Sequence, residues 1–348
     1  MELNTKSSFE EYKDKGLTGL ANLGNLCYVN SCVQILSHSY ELSNFLRDEK
    51  YKEKLNNKPD SVLILEWNKL RELMWSGNCT IAPWGFVKSV QKVASLKERE
   101  IFSGHSQNDT EEFLLFIIDC FHEALAREVD MNITGVAQNN TDKLAQVCYK
   151  MMKDMYKTEY SEMLEFFYGI HVSVVTAKDN NEILSLRPEP FSVLNLPIPE
   201  IRKPTLIDCV ELHCKSELMD GENAWYNEKI KKKQDVNKRI VFWSLPNILI
   251  IGLKRWNNYG QKINKEVDMP INNLDMSKFI KGYNSASYVY ELYGICNHSG
   301  GSSGGHYHAN VKNANGKWYN FNDTNVNEIN EESLISTEAY CFFYRKKK

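Results

Sequence analysis

No Cys-x-x-Cys pair occurs in the 348 residues, although nine cysteines are scattered through them. A zinc site needs four ligands, and Cys209 and Cys214 around His213 do not supply them, so no metal is expected. An odd number of singly placed cysteines also lacks the framework of a disulfide-stapled secreted domain. A reducing, intracellular location is expected, cytoplasmic with the nucleus also open. No apolar run approaches the length of a membrane span. Residues 1–15 are polar and of mixed charge, unlike a secretory leader, and read as an N-terminal extension. No sign of charge dominates: the net charge of −3 gives no reason to expect nucleic acid or an anionic membrane as partner. The basic run Lys229-Ile230-Lys231-Lys232-Lys233 suggests a nuclear address or an anion patch. Glu228 and Asp235 flank it, however, and favour a solvated face. No internal repeat is present.

What is there supports a sizeable core, with 42% apolar residues in one large domain or two smaller ones. The first half reads as helices. Residues 61–75 keep apolar side chains at helical spacing and stop at Gly77, and 83–96 form a further helix. A helix over 106–122 is capped by Asp109 or Ser106, with Glu112 placed for a capping box with Asp109. Residues 143–167 are again helical. Strands then follow at 167–175, 191–199, 238–246 and 248–256, with a short helix at 205–214 between them. The run Ile248-Leu249-Ile250-Ile251 is continuous enough to be buried. Helices first and strands later give an α+β class.

Two stretches carry chemistry. Gly19-Leu20-Ala21-Asn22-Leu23-Gly24-Asn25-Leu26 is a Gly/Asn-rich loop leading into Cys27, and Val29, Val33 and Leu36 follow at helical spacing. Cys27 then stands in the first turn of a helix, where backbone N–H groups and the dipole favour a thiolate. Asn22 can turn its amide toward an oxygen lying over the sulfur. The plainer reading is a buried structural cysteine. Near the other end, a strand at 288–296 leads through the glycine-rich loop Asn297–Gly305 into a strand at 306–312, and Asn313-Ala314-Asn315-Gly316 turns the chain into 317–323. A four-residue turn sets Lys312 opposite Lys317 and hence His306 opposite Asp323. One bulged residue would put Asn322 there instead. Either pairing sets a histidine beside a group that fixes its tautomer, the base-plus-orienter half of a cysteine-hydrolase triad. His308 shares the face of His306, and His298 in the loop is the weaker candidate.

These stretches resemble the cysteine and histidine boxes of the ubiquitin-specific protease family of papain-like deubiquitinases. Gln107-Asn108-Asp109-Thr110-Glu111-Glu112-Phe113 is similar to the family's Gln-Gln-Asp segment. Glu189-Pro190-Phe191, Leu194 to Pro199, Leu245-Pro246, Leu253 to Trp256 and Ala339 to Tyr344 resemble its internal and closing strands. The resemblance implies a catalytic domain over 16–345 with thumb (about 16–165), fingers (about 166–250) and palm (about 251–345). It implies Cys27 as nucleophile, His306 as base, Asn322 as orienter with Asp323 beside it, and Asn22 as oxyanion donor. Asp109 and Glu112 would hold the arginine-bearing tail of ubiquitin, with Gln107, Gly305 and Tyr307 along its path. The tail's glycines would pass between Cys27 and Gly304-Gly305. The expected reaction is hydrolysis after ubiquitin's last glycine by a monomer without a cofactor. A silent ubiquitin-binding module, or the same chemistry on another ubiquitin-like modifier, are the alternatives. The finger cysteines of many members are missing near Thr176 to Asp179 and at Asn227-Glu228-Lys229-Ile230, so the finger hairpins must hold without zinc.

Overall fold

A computed structural model describes residues 9–301 and 304–347. Of the expected N-terminal extension, residues 1–8 lie outside them, as does Ser302-Ser303 of the glycine-rich loop. The helices are α1 (Cys27–Ser37), α2 (Tyr40–Arg47), α3 (Asp60–Ser76), α4 (Trp84–Leu96), α5 (Thr110–Leu125), α6 (Asn140–Glu159), α7 (Met163–Phe167) and α8 (Leu206–Cys214). The strands are β1 (Gly19–Leu20), β2 (Thr80–Ile81), β3 (Gly169–Ala177), β4 (Ile183–Phe191), β5 (Val193–Pro197), β6 (Glu217–Met219), β7 (Trp225–Asn227), β8 (Lys232–Gln234), β9 (Val236–Ser244), β10 (Ile248–Lys254), β11 (Leu274–Asp275), β12 (Val289–Gly301), β13 (Gly304–Lys312), β14 (Trp318–Asn322), β15 (Asn325–Ile329) and β16 (Ala339–Lys346).

The large sheet runs β15-β14-β13-β12-β16-β10-β5, with β11 on the far part of β12. Strand β10 is buried as expected, and on both of its faces. Ile248 and Ile250 enter the core shared with the helices, while Leu249, Ile251 and Leu253 enter a second core behind the sheet. A strand covered on both sides needs a continuous apolar run rather than alternation. A separate four-stranded sheet, β4-β3-β9-β6, is backed by α6 through Leu144, Ala145 and Cys148. The β7–β8 hairpin stands apart from both sheets.

Three expectations need correction. The helix expected over 143–167 breaks at Tyr160, which is extended and exchanges both backbone bonds with Arg127, at 3.0 and 2.9 Å. The loop after Asn297 is a strand continuation: β12 runs to Gly301 and pairs down to Gly301 opposite Gly304. His298 is therefore a buried strand residue, not a loop residue. Finally, β13 and β14 pair with Lys312 opposite Trp318 and Ala309 opposite Phe321, one residue away from the expected register. Asn313 joins the paired strands, its N–H donating to the Lys317 carbonyl at 2.9 Å, which leaves a turn over 314–316, and its buried side chain is held from outside the hairpin. Its amide donates to the Lys15 carbonyl at 2.8 Å, and its Oδ1 accepts from the N–H groups of Asp14 and Asn315.

Candidate active site

Helix α1 is buried along all eleven residues, and Cys27 opens it. The turn before it is built by Asn22, whose Oδ1 accepts from the N–H groups of Gly24 at 3.2 Å and Leu26 at 3.0 Å. Gly24 has φ +105°, a backbone conformation that favours glycine. The loop is also stapled to the far end of the chain. The Leu20 N–H donates to the Asp323 carbonyl at 2.8 Å, and Gly19 lies so close to the Thr324 carbonyl that a Cβ there would sit 2.3 Å from it. Such an approach requires glycine.

The expected histidine–amide pair is present. His306 Nε2 lies 2.7 Å from Asn322 Oδ1. With that oxygen accepting, Nε2 carries the proton and Nδ1 keeps its lone pair free for a thiol. The two residues do not sit directly opposite one another. In the observed register they are diagonal neighbours beyond the last ladder pair, Ala309 with Phe321. Asp323, which the simple hairpin count placed opposite His306, has φ +50° and turns away. Its carboxylate accepts from Asn22 Nδ2 at 3.1 Å and Asn30 Nδ2 at 2.8 Å. Asn322 therefore holds the histidine, and Asp323 holds the Asn22 amide. Asn30 is the residue that sequence reasoning missed. Its place one turn after Cys27 on α1 was the available signal.

Cys27 is 3% exposed, and burial pushes its thiol up from the ordinary value, with the Asp323 charge adding to the rise. The N–H groups of Tyr307, Tyr28 and Cys27 itself pull the other way. The expected helix-start stabilisation thus exists but is outweighed by burial, which favours the thiol form. Because the Tyr307 N–H faces the sulfur, Cys27 lies against the peptide that follows His306. His308 pairs with Asn297 on β12, and burial lowers its pKa. His298, across from Tyr307, is pushed down to about 4 by burial and by Lys262, and is neutral.

A cleft of about 310 Å³ lies beside this pair, lined in part by Gln107, Trp256, His298, Gly305 and Tyr307. A Cβ on Gly305 would fall 2.3 Å from His298 Nε2, so the wall admits only glycine. Gln107 bridges the cleft: its Nε2 donates to the Gly305 carbonyl at 3.0 Å and its Oε1 accepts the Gly305 N–H at 3.2 Å. Trp256, at the end of the Leu253 to Trp256 stretch, is brought by folding into the cleft wall.

The acidic pair divides. Asp109 caps α5, its Oδ1 accepting from the N–H groups of Glu111 at 2.7 Å and Glu112 at 3.3 Å. Its Oδ2 accepts from the hydroxyls of Tyr340 at 2.7 Å and Tyr307 at 3.4 Å. The reciprocal half of the expected capping box is not formed, because Glu112 is exposed and does not reach back. Glu111, between them, is buried against Gly252 and Asn195, and burial with the nearby Asp109 charge pushes its carboxyl up to about 8. In the cysteine-free β7–β8 hairpin, Asn227 Nδ2 donates to Gln234 Oε1 at 2.8 Å, and Asn227 Oδ1 accepts the Lys229 N–H at 3.0 Å. An amide clasp joins β7 to β8.

The profile of the ubiquitin carboxyl-terminal hydrolase family matches residues 18–344. The chain is 33% identical over 350 residues to ubiquitin carboxyl-terminal hydrolase Usp2 of Drosophila melanogaster, covering 98% of this chain and 36% of that protein. It is 30% identical over 357 residues to ubiquitin carboxyl-terminal hydrolase 2 of Bos taurus, covering 98% and 56%. To the Gallus gallus protein of the same name it is 32% identical over 346 residues, covering 95% and 93%. The chain thus spans about a third to just over half of the length of the fly and bovine relatives. Among solved structures, a chain of the SAGA DUB module bound to monoubiquitin shares the fold, with a TM-score of 0.72 at 23% identity over 98% of this chain and 71% of that one. A chain of the yeast SAGA DUB module gives 0.73 at 22% identity over 97% and 70%. The family match begins at Thr18, beside the cysteine loop, and ends at Tyr344 in the closing strand, taking in every element that builds the cleft. The chain therefore belongs to the ubiquitin carboxyl-terminal hydrolase family and carries its α+β, papain-like fold.

Proposed function

We propose that this chain is a thiol-dependent deubiquitinase that hydrolyses the bond after the C-terminal glycine of ubiquitin. The observation that carries the reading is the 2.7 Å contact of His306 Nε2 with Asn322 Oδ1, formed where the chain also brings Cys27 against the Tyr307 peptide. Family membership and relatives named ubiquitin carboxyl-terminal hydrolases support it.

In this mechanism His306 Nδ1 takes the Cys27 proton as the sulfur attacks the glycine carbonyl carbon. The oxygen becomes an oxyanion. Asn22 offers the amide N–H that Asp323 does not use, and the N–H groups at the start of α1 lie beside the sulfur. The carbonyl re-forms as the C–N bond breaks, and the leaving lysine amine takes the proton from His306. His306 then removes a proton from water, which attacks the thioester and returns the thiol. The tail's glycines pass between Cys27 and Gly304-Gly305, where Gln107 holds the Gly305 peptide in place, and Glu112 meets an arginine of the tail. The chain works as a monomer in a reducing intracellular compartment, which accords with its nine unpaired cysteines.

Ubiquitin carrying an electrophile at its C-terminus tests this reading. It should form a covalent adduct with Cys27 and with no other cysteine, and Cys27→Ala should abolish the adduct. Binding of ubiquitin without any adduct would favour the silent module. Labelling only by another ubiquitin-like probe would reassign the substrate.

A further inference from the structure

We propose a divalent metal site, suited to zinc, formed by His122 and Glu123 at the end of α5 and Glu159 at the end of α6. One ligand atom from each of the three lies within 4.8 Å of the others. Tetrahedral zinc with nitrogen and oxygen ligands sets those atoms about 3.3 Å apart, a closure that rotation of the two glutamates supplies. The donor set, one imidazole and two carboxylates with room for water, suits a borderline cation. Calcium and magnesium prefer more ligands, all of them oxygen.

His122 makes this more than an acidic surface patch. It is 7% exposed, and its Nδ1 lies 2.7 Å from Ser161 Oγ, which also accepts the Met163 N–H at 3.2 Å. With Nδ1 held by an outer partner, the ring is fixed and Nε2 is the nitrogen left for a metal. Nε2 has no hydrogen-bond partner among the described residues. The scaffold is rigid as well. The two backbone bonds between Arg127 and Tyr160 clamp the end of α6 beside the end of α5. Lys58 pairs with Glu123 and would be displaced by the cation.

The consequence follows from what α6 carries. That helix backs the four-stranded sheet, whereas α5 belongs to the helical core. An ion here would tie the two together, as a structural rather than a catalytic metal. Positions 122, 123 and 159 match no metal-ligand spacing, so only the fold brings them together.

The test is calorimetric titration of zinc into chelator-treated protein, in wild type and in Cys27→Ala, with thermal melting alongside. One bound ion per chain and a zinc-dependent rise in Tm of several degrees are expected in both. Glu159 is exposed, so Glu159→Gln should melt like wild type without zinc and lose the zinc-dependent rise. His122→Asn should lose it too. The site is overturned if zinc leaves the wild-type Tm unchanged, or if Glu159→Gln keeps the rise. It is equally overturned if cobalt-substituted protein shows a sulfur-to-cobalt charge-transfer band, because a cysteine would then hold the metal.

Discussion

The side-chain amide of Asn22 donates to Asp323 Oδ2 at 3.1 Å, joining the cysteine loop to the end of the histidine hairpin. The same carboxylate accepts from Asn30 on α1 at 2.8 Å. One acidic group thus fixes the aim of the Asn22 amide from the position next to Asn322, the partner of His306. Asp323→Ala should lower kcat by about ten- to a hundredfold, less than the loss of an oxyanion donor itself, with KM nearly unchanged. Steady-state kinetics on a ubiquitin C-terminal reporter would check this. A rise in KM with kcat intact would place Asp323 in substrate binding instead.

The buried thiol predicts a pH dependence. Only the thiolate reacts with an alkylating agent, and burial holds the Cys27 pKa above its ordinary value of 9.0. Iodoacetamide should therefore inactivate the free enzyme slowly at neutral pH, with a rate still climbing at pH 9. A plateau between pH 6 and 7 would instead reveal a preformed thiolate–imidazolium pair.

Within the histidine pair, His306→Ala should lower kcat by about a thousandfold or more, because deletions inside a triad are large and non-additive. Asn322→Ala should cost less, since it frees the ring without removing the base. His308→Ala should be milder still, for Asn322 Oδ1 is bonded to His306 and His308 pairs with Asn297. Equal losses at His306 and His308 would leave the base unassigned.

Asp109 and Glu112 should separate in their effects. The Asp109 carboxylate already accepts from two backbone N–H groups and two tyrosine hydroxyls, so Asp109→Ala should cost stability, by about 1–2 kcal/mol for the cap alone. Glu112 is exposed, and its carboxylate forms no hydrogen bond or ion pair among the described residues. Glu112→Gln should leave Tm unchanged and raise KM about tenfold, the effect of losing one charge-assisted contact of about 1.5 kcal/mol. An unchanged KM would place the arginine contact elsewhere.

Glu111 predicts a stability effect with a definite sign. Its folded pKa is raised to about 8, so the folded state holds the proton more tightly than the unfolded chain does. The stabilisation is complete below the ordinary carboxyl range near pH 4.5 and is lost as pH rises through 8. Glu111→Gln keeps the shape without the charge. It should melt close to wild type at pH 5 and above it at pH 8.5, with a gain of about 1–3 kcal/mol, the cost of an unsatisfied buried acceptor. Parallel pH dependence in the two proteins would show that Glu111 does not titrate in this range.

Much of the molecule was legible from local pattern alone. The helices-then-strands order, the burial of Ile248 to Ile251 and the Gly/Asn turn before Cys27 each follow from residues within a few positions of one another. Side-chain periodicity and backbone freedom operate over that range. The pairing of a histidine with a neighbouring amide or carboxylate was legible for the same reason, since a hairpin keeps its partners close in sequence. The choice between Asn322 and Asp323 was not. It depends on a one-residue register set by Asn313, whose amide is bonded to Lys15 at the other end of the chain, and on Asp323 being drawn toward Asn22 and Asn30. The state of the Cys27 sulfur was likewise decided by tertiary burial, which outweighs the helix start that the sequence displays. Periodicity carries the elements, whereas register, burial and charge balance depend on partners hundreds of residues away, which only the folded chain brings together.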